Sequence, residues 1–129
     1  NVLENLEPKR VFRFFEDLCA IPHGSHNTKA QRLLRQLARE RGLEYYQDSD
    51  NNIIIIKEAT PGYEQAVPMI LQGHLDMVCE KDASCTKNME TEAWIWLWTA
   101  TRLRQGHHPG RDDGIAVAMA LAILDAQDI

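Results

Sequence analysis

Four consecutive isoleucines, Ile53–Ile56, constrain the fold of this chain more than any other feature of its sequence. Isoleucine is β-branched and favours strands, and a short run that is apolar on both faces is typical of a buried strand. A turn-forming stretch, Asp48–Asn52, precedes the run, and Leu43–Gln47 before that turn is predicted to be another strand. The sequence therefore predicts two strands joined by a turn, the second of them buried.

Three other segments have the spacing of apolar residues that is typical of helices. The first is Pro8–Ala20, which begins with a proline suited to a first helical turn. A second helix, capped by Asn27 or Thr28, is predicted to run to about Arg41, where a glycine follows as a stop signal. The third, Ala116–Leu124, is rich in alanine. These helices flank the strands in the sequence.

A third strand, Val67–Gln72, is predicted just before the pair His74 and Asp76. Residues two apart in a strand point to the same face, so the imidazole and the carboxylate would emerge side by side where the strand leaves the core. That is how a metal ligand is placed beside a carboxylate that orients it. Alone, such a pair is more often part of a surface turn than of a metal site, so both interpretations stay open at this point.

The order of these elements, two helices, three strands and a final helix, predicts a layered α/β domain. Asp112 and Asp113 stand just before the last helix. Negative groups are favoured at a helix N-terminus, where they either cap the helix or hold a cation in front of it. From the residues alone the cap is the commoner role. A sheet of this class normally continues with another strand, so the chain reads as a truncated piece.

Charge, hydropathy and cysteine content argue against several classes of protein. The net charge is −5 and no basic block is present, which argues against a nucleic-acid partner. No apolar stretch reaches the roughly 18 residues of a membrane span, and the acidic segment Asn1–Glu7 is unlike a signal peptide. Three irregularly spaced cysteines form neither a zinc knuckle nor a paired framework. A reducing cytoplasm is therefore the expected compartment.

Four sequence stretches carry a resemblance to a known family, namely Ile21–Ser25, Ala59–Tyr63, Leu71–Lys81 and Gly110–Ala118. Together they resemble the aminoacyl-histidine dipeptidases, also called Xaa-His, β-alanyl-histidine or PepD-type dipeptidases. This resemblance covers nearly the whole chain except about Ala93 to Arg111, and the family belongs to the co-catalytic metallopeptidases. It implies that residues 1–129 are the N-terminal part of the catalytic domain of a zinc-exopeptidase-like three-layer α/β fold.

The resemblance also implies roles for individual residues. His74 matches the ligand of one metal ion, Asp76 the catalytic-site acid that orients that histidine, and Asp112 the carboxylate that bridges two metal ions. Asp113 matches the residue joined to the bridging aspartate by an unusual cis peptide. The two divalent ions would be zinc, with manganese or cobalt as alternatives. Such a pair, about 3.5–4 Å apart, generates a hydroxide that attacks a peptide carbonyl.

Other parts of the family's machinery are expected beyond Ile129, namely the general-base glutamate, further metal ligands and the inserted lid domain. The fragment alone is therefore predicted to hydrolyse nothing measurable. In the full-length protein, the resemblance implies a small peptide substrate of the Xaa-His type. Homodimerisation, which is common in the family, is a further expectation. Neither a nucleic acid nor a membrane is expected as a partner.

Residues 93–111 depart from the family in a patterned way and are predicted to be an out-of-frame segment. The family pattern here is EGLDL, two variable residues and DGD, then KGTTLGAD further on. Tryptophan has the single codon TGG, and with suitable other codons one restored base converts Glu92–Thr101 to EGLDLALDGD. Reading Gln105–Arg111 one base later gives KGTTLGA. A sequencing error or a mutated gene would produce this pattern, and its alternating tryptophans would then read as a strand.

Two alternatives to a histidine-specific dipeptidase stay open. The first is another amidohydrolase of the same metallopeptidase family, such as an aminoacylase or a tripeptidase. The second is a non-catalytic remnant of a degraded gene that folds poorly or binds a metal only weakly. The adjacent His107 and His108 look like a metal pair, but neighbouring strand residues face opposite sides, and the shifted frame explains them better.

Overall fold

The computed structural model describes residues 3, 5–21, 28–76, 96–99, 102–105 and 113–128, with only the backbone described for 96–99 and 102–105. These residues form three helices and two antiparallel hairpins, so the predicted mixture of helix and strand is confirmed. In chain order the elements are α1 (Lys9–Cys19), α2 (Lys29–Glu40), β1 (Glu44–Gln47), β2 (Ile53–Ile56), β3 (Trp96–Thr99), β4 (Arg102–Gln105) and α3 (Gly114–Asp125).

All three predicted helices are confirmed, each to within about two residues. Helix α2 ends as predicted at Gly42, whose φ of 66° is in the left-handed region that favours glycine. The N–H of Gly42 donates to the carbonyl of Arg39, and the N–H of Leu43 donates to that of Ala38 at 2.8 Å. This is the Schellman arrangement, which satisfies the last helical carbonyls. Thr28 occupies the N-cap position without a side-chain cap bond.

The core lies where α3 packs along α1. Helix α3 is apolar on nearly all sides. Ala118 and Leu121 on its inner face are almost fully buried, while Met119 and Ile123 are exposed. Helix α2 adds its own apolar face, on which Leu34 and Leu37 recur at helical spacing. The buried cluster comprises Leu3, Phe15, Leu18, Cys19, Leu34, Leu37, Val117, Ala118 and Leu121.

Strands β1 and β2 form an antiparallel hairpin in which Tyr45 pairs with Ile55. The inner face of β2 packs Ile53 and Ile55 against the buried cluster. The outer face exposes Ile54 and Ile56. The prediction that β2 is buried on both faces is therefore wrong, because no layer among the described residues covers the outer face of the hairpin.

The predicted third strand, Val67–Gln72, is also wrong, since none of these residues forms a strand. Val67 is 89% exposed, Met69 82% and Ile70 93%. A strand is held by ladder hydrogen bonds to a neighbour, and in the part of the chain that the structure describes this segment pairs with no other strand. Its apolar side chains alone do not make it a strand.

The second hairpin lies within the anomalous segment 93–111. Strand β3 pairs antiparallel with β4, in a register that places Trp96 opposite Gln105 and Trp98 opposite Leu103. The strand expected from the alternating tryptophans is thus present at Trp96–Thr99, while Trp94 lies outside the described residues. Among the described residues, no helix has the length and apolar character needed to cross a membrane.

Candidate metal site

The predicted site is positioned by the contact between Gly73 and the start of α3. A Cβ atom added at Gly73 would lie 2.9 Å from Oδ2 of Asp113 and 3.2 Å from Cγ2 of Val117. A side chain at position 73 would therefore require the Asp113 carboxylate to shift and the contact with Val117 to open by a few tenths of an ångström. Two regions that are far apart in the sequence, one ending in His74 and one preceding α3, meet at this contact.

His74 and Asp76 lie beside each other, as the sequence predicted, but for a different geometric reason. Nδ1 of His74 is 3.3 Å from Oδ1 of Asp76 and 3.0 Å from the Asp76 carbonyl oxygen. The prediction relied on the alternation of side chains in a strand, whereas residues 71–76 are not a strand. The imidazole of His74 instead contacts Asp76, two residues later in the chain, so a local contact brings the two groups together.

The contact at Nδ1 has a chemical consequence for the other ring nitrogen of His74. If Nδ1 carries the proton, it donates to Asp76, and Nε2 is then the ring nitrogen with the lone pair that a metal ion would bind. Both side chains are about half exposed, 50% for His74 and 56% for Asp76. An ion from solvent can therefore reach the pair. This is the chemistry of a ligand with its orienting acid.

Asp113 occupies the N-cap position of α3 but makes no side-chain cap bond. Its main-chain carbonyl accepts the first helical bond, from the N–H of Val117 at 3.1 Å. The carboxylate instead faces Gly73. The simple cap interpretation therefore does not describe Asp113. Asp112, the predicted bridging ligand, lies outside the described residues, so its position relative to His74 stays a prediction.

The described donors fit part of a metal site. An imidazole with an adjacent carboxylate suits zinc, but no group of three or more His, Cys, Asp or Glu side chains among the described residues could hold a metal ion. A structural or catalytic zinc ion takes at least three protein ligands. The remaining ligands would have to come from Asp112 and from residues outside those described.

The opposite end of α3 carries a second cluster of charged residues, which is explained by packing. Asp125 accepts from Nε of Arg41 and lies 3.4 Å from Nε of Arg10. These three side chains line a shallow cleft together with Glu40. Asp125 pairs with Arg10 of α1 and with Arg41, which directly follows α2, so this cluster ties α1 and the end of α2 to α3.

Among the described residues of the candidate site, Gly73 is one that the sequence did not lead us to expect. A signal for it was present, because a glycine inside an apolar run often marks a place where another part of the chain approaches closely. What the sequence lacked was any indication of which part of the chain would fill the space.

No protein-family model matches the chain. The chain is 34% identical, over 132 residues, to the cytosol non-specific dipeptidase of Escherichia coli, and this match covers 98% of the chain and 27% of the relative. The crystal structure of aminoacylhistidine dipeptidase from Vibrio alginolyticus superposes with a TM-score of 0.89 at 29% identity. That match covers 98% of this chain and 26% of the crystallised one.

Sequence and fold agree in these comparisons, and both extend across nearly the whole chain. The expected fold class, the N-terminal part of the dipeptidase catalytic domain, is therefore confirmed. The chain spans about a quarter of the length of the relatives it matches. On these grounds, the resemblance of the chain to the PepD-type, or aminoacylhistidine, dipeptidases is confirmed.

Proposed function

We propose that this chain forms part of the catalytic domain of a dinuclear-metal dipeptidase that acts on dipeptides of the Xaa-His type. The observation that carries the proposal is the approach of Gly73 to Asp113. It sets the His74–Asp76 pair beside the helix end that Asp112 precedes. The two dipeptidases that the chain resembles support the reaction class, and the cytosol location in one relative's name supports a cytoplasmic protein.

The proposed roles follow from the chemistry of each group. Nε2 of His74 would hold one metal ion, and Asp76 would keep the imidazole in the required tautomer and orientation. Asp112 would supply a carboxylate shared by the two ions. Zinc, or manganese or cobalt in its place, would supply a hydroxide near neutral pH and polarise the peptide carbonyl. Since Asp76 orients His74, it is not free to act as the general base.

The 129-residue chain alone is expected to bind metal weakly and to show no peptidase activity. One imidazole and one bridging carboxylate provide too few ligands for two tightly held ions. The complete enzyme would take small peptides as substrates, with a homodimer as the expected assembly. A metal-dependent peptidase rate from the isolated chain would contradict this expectation.

Calorimetric titration with zinc tests the proposed ligand. The chain should bind zinc weakly, and His74→Ala should reduce the affinity by at least about tenfold, because outer and inner ligands each contribute on that scale. Asp50→Ala, which removes an exposed carboxylate in the β1–β2 turn, is the matched control and should bind as the unaltered chain does. Equal affinity in the His74→Ala chain would remove His74 from the site.

We also propose that residues 93–111 derive from a shifted reading frame. The support is the reappearance of two family patterns after single-base shifts, given the fixed tryptophan codons. Resequencing the DNA tests this directly, and an intact frame without lost bases would reject it. A version with the family frame restored, titrated with zinc beside the present chain, would separate a damaged dipeptidase from a remnant that never binds metal.

A further inference from the structure

We infer that Gly73 is a positioning residue, whose missing side chain sets how closely the His74–Asp76 pair lies to the first turn of α3. The effect of Gly73 on metal binding rests on the proposed function. The steric fit of the segment that contains Gly73 against α3 does not depend on that function. The two can therefore be tested separately.

The described glycines show that the requirement at position 73 is for space and not for an unusual backbone. Gly42 and Gly62 have positive φ angles of 66° and 96°, and a Cβ at either would meet nothing within 4 Å. Gly73 has no left-handed φ, yet its Cβ would meet two side chains closer than 3.4 Å. A side chain at position 73 is therefore limited by the space available and not by the backbone conformation.

A methyl group at position 73 would displace the segment and not the helix. Val117 is buried in the core, and a β-branched side chain in a helix has a single strongly preferred rotamer. Its Cγ2 at 3.2 Å therefore cannot easily move aside. Residues 67–72, in contrast, are exposed along their whole length. The Asp113 carboxylate, at the end of a flexible side chain, can rotate aside. At Val117 the extended segment is the part that yields, and His74 would move with it.

This asymmetry gives Gly73→Ala a distinctive signature. A residue needed only for packing would lower stability in proportion to the disturbance of its surroundings. Here the core stays in place because α3 remains packed on α1, so the midpoint of urea unfolding should change little. The environment of the His74 ring should change clearly. A displaced His74 ring in a chain of unchanged stability would distinguish a positioning role for Gly73 from a purely structural one.

The first experiment compares His74 ring resonances of the metal-free chain by NMR, with the midpoint of urea unfolding measured on the same samples. Gly73→Ala should shift the His74 signals with little change in the midpoint. Gly62→Ala is the matched control: it adds a methyl in open space and should leave His74 unchanged, although its positive φ lowers the midpoint. Unchanged His74 signals in Gly73→Ala would overturn the inference.

A second variant keeps the test decisive if Gly73→Ala disturbs folding. Val117→Ala removes the methyl group that the new side chain would meet, so the double variant should recover part of the His74 signal position. Independent, additive effects of the two substitutions would overturn the inference, because they would show that the side chains at 73 and 117 do not interact.

Zinc titration of the same variants then addresses the site. Gly73→Ala should weaken zinc binding by about tenfold, the scale found when groups that orient a metal ligand are disturbed. Zinc binding that depends on His74 but is equally tight in Gly73→Ala would overturn the positioning role. If no variant binds zinc while the metal-free shift and its recovery are observed, the steric fit at position 73 holds and the proposed metal-binding role of His74 in this chain fails.

Discussion

Helix α3 and the segment from Val67 to Leu71 are both strongly apolar, yet α3 buries one face and the segment buries none. Leu121 in α3 is 2% exposed, whereas Ile70 in the segment is 93% exposed. The helix packs along α1, and the buried cluster that they share is also contacted by the hairpin residues Ile53 and Ile55. The segment meets no comparable surface among the described residues. The two regions are similarly apolar in composition, and they differ in whether another surface of the protein packs against them.

The comparison teaches that burial is a property of pairs of surfaces. An apolar side chain gains about 25 cal/mol for each Å² that is removed from water, but only where another surface removes it. Helix α3 satisfies its own backbone hydrogen bonds and then needs only a packing partner. An extended segment needs a neighbouring strand for its backbone as well. The segment is therefore the more dependent of the two.

Truncating one side chain in α3 and one in the exposed segment should give the largest difference in the free energy of unfolding. Leu121→Ala should lower the free energy of unfolding by about 2–5 kcal/mol, because it leaves a cavity in the core. Ile70→Ala removes a similar side chain that is already in water, so its effect should stay within about 0.5 kcal/mol. Urea unfolding followed by circular dichroism measures both. Similar costs for the two would show that the segment is buried in solution.

Lys57 marks the place where the chain leaves the core for the exposed segment, and its loss should have an intermediate effect. Its Nζ donates to the carbonyls of Ile123, at 3.2 Å, and Ala126, at the C-terminal end of α3. Lys57→Met keeps the apolar stem but removes the charge, and should cost about 1 kcal/mol of unfolding free energy.

The matched control for Lys57 is Lys9→Met. Lys9 is highly exposed and lies 3.9 Å from Glu7 in a surface ion pair. Such pairs contribute little, so the control should stay within about 0.5 kcal/mol in the same urea experiment. An equal cost for both variants would mean that the carbonyls at the end of α3 do not need the Lys57 ammonium.

The β1–β2 turn is exposed like the segment, but hydrogen bonds hold its shape, and breaking them should have the smallest effect. The side-chain amide of Asn52 and the backbone N–H groups of Asn52 and Asp50 donate to the Asp48 carboxylate, which lowers the pKa of Asp48 below its usual range. Asp48→Ala should slightly lower the thermal midpoint at pH 7. Asp50→Ala, which keeps its backbone donor, should not.

The pH dependence of that small effect has a definite sign. A carboxyl whose pKa is lower in the folded state stabilises the fold above its unfolded pKa, about 3.9 for aspartate, and loses this contribution as the pH falls through the folded value. The gap in thermal midpoint between the Asp48→Ala chain and the unaltered chain should therefore become smaller in acid. Thermal melts from pH 7 down to pH 2 measure it, and a gap that widens in acid would contradict the assigned hydrogen bonds.

Much of the fold was predictable because its signals are local. The spacing of Leu34 and Leu37 indicated α2, and Gly42 ended it where the left-handed φ was needed. The pairing of His74 with Asp76 was also predictable, since two residues so close in sequence can meet through local geometry alone. The strand expected at Val67–Gln72 failed because a strand depends on a neighbour that the sequence of the strand does not specify.

The sequence by itself determined the helices, the first hairpin and the identity of the chemical groups at the candidate site. Each follows from residue type and spacing within a few turns of chain. Only the tertiary structure decided that Gly73 lies against Asp113 and Val117, and that one face of β2 is covered while the other is not. These are contacts between distant parts of the chain, and they depend on the shape and volume of both surfaces at once.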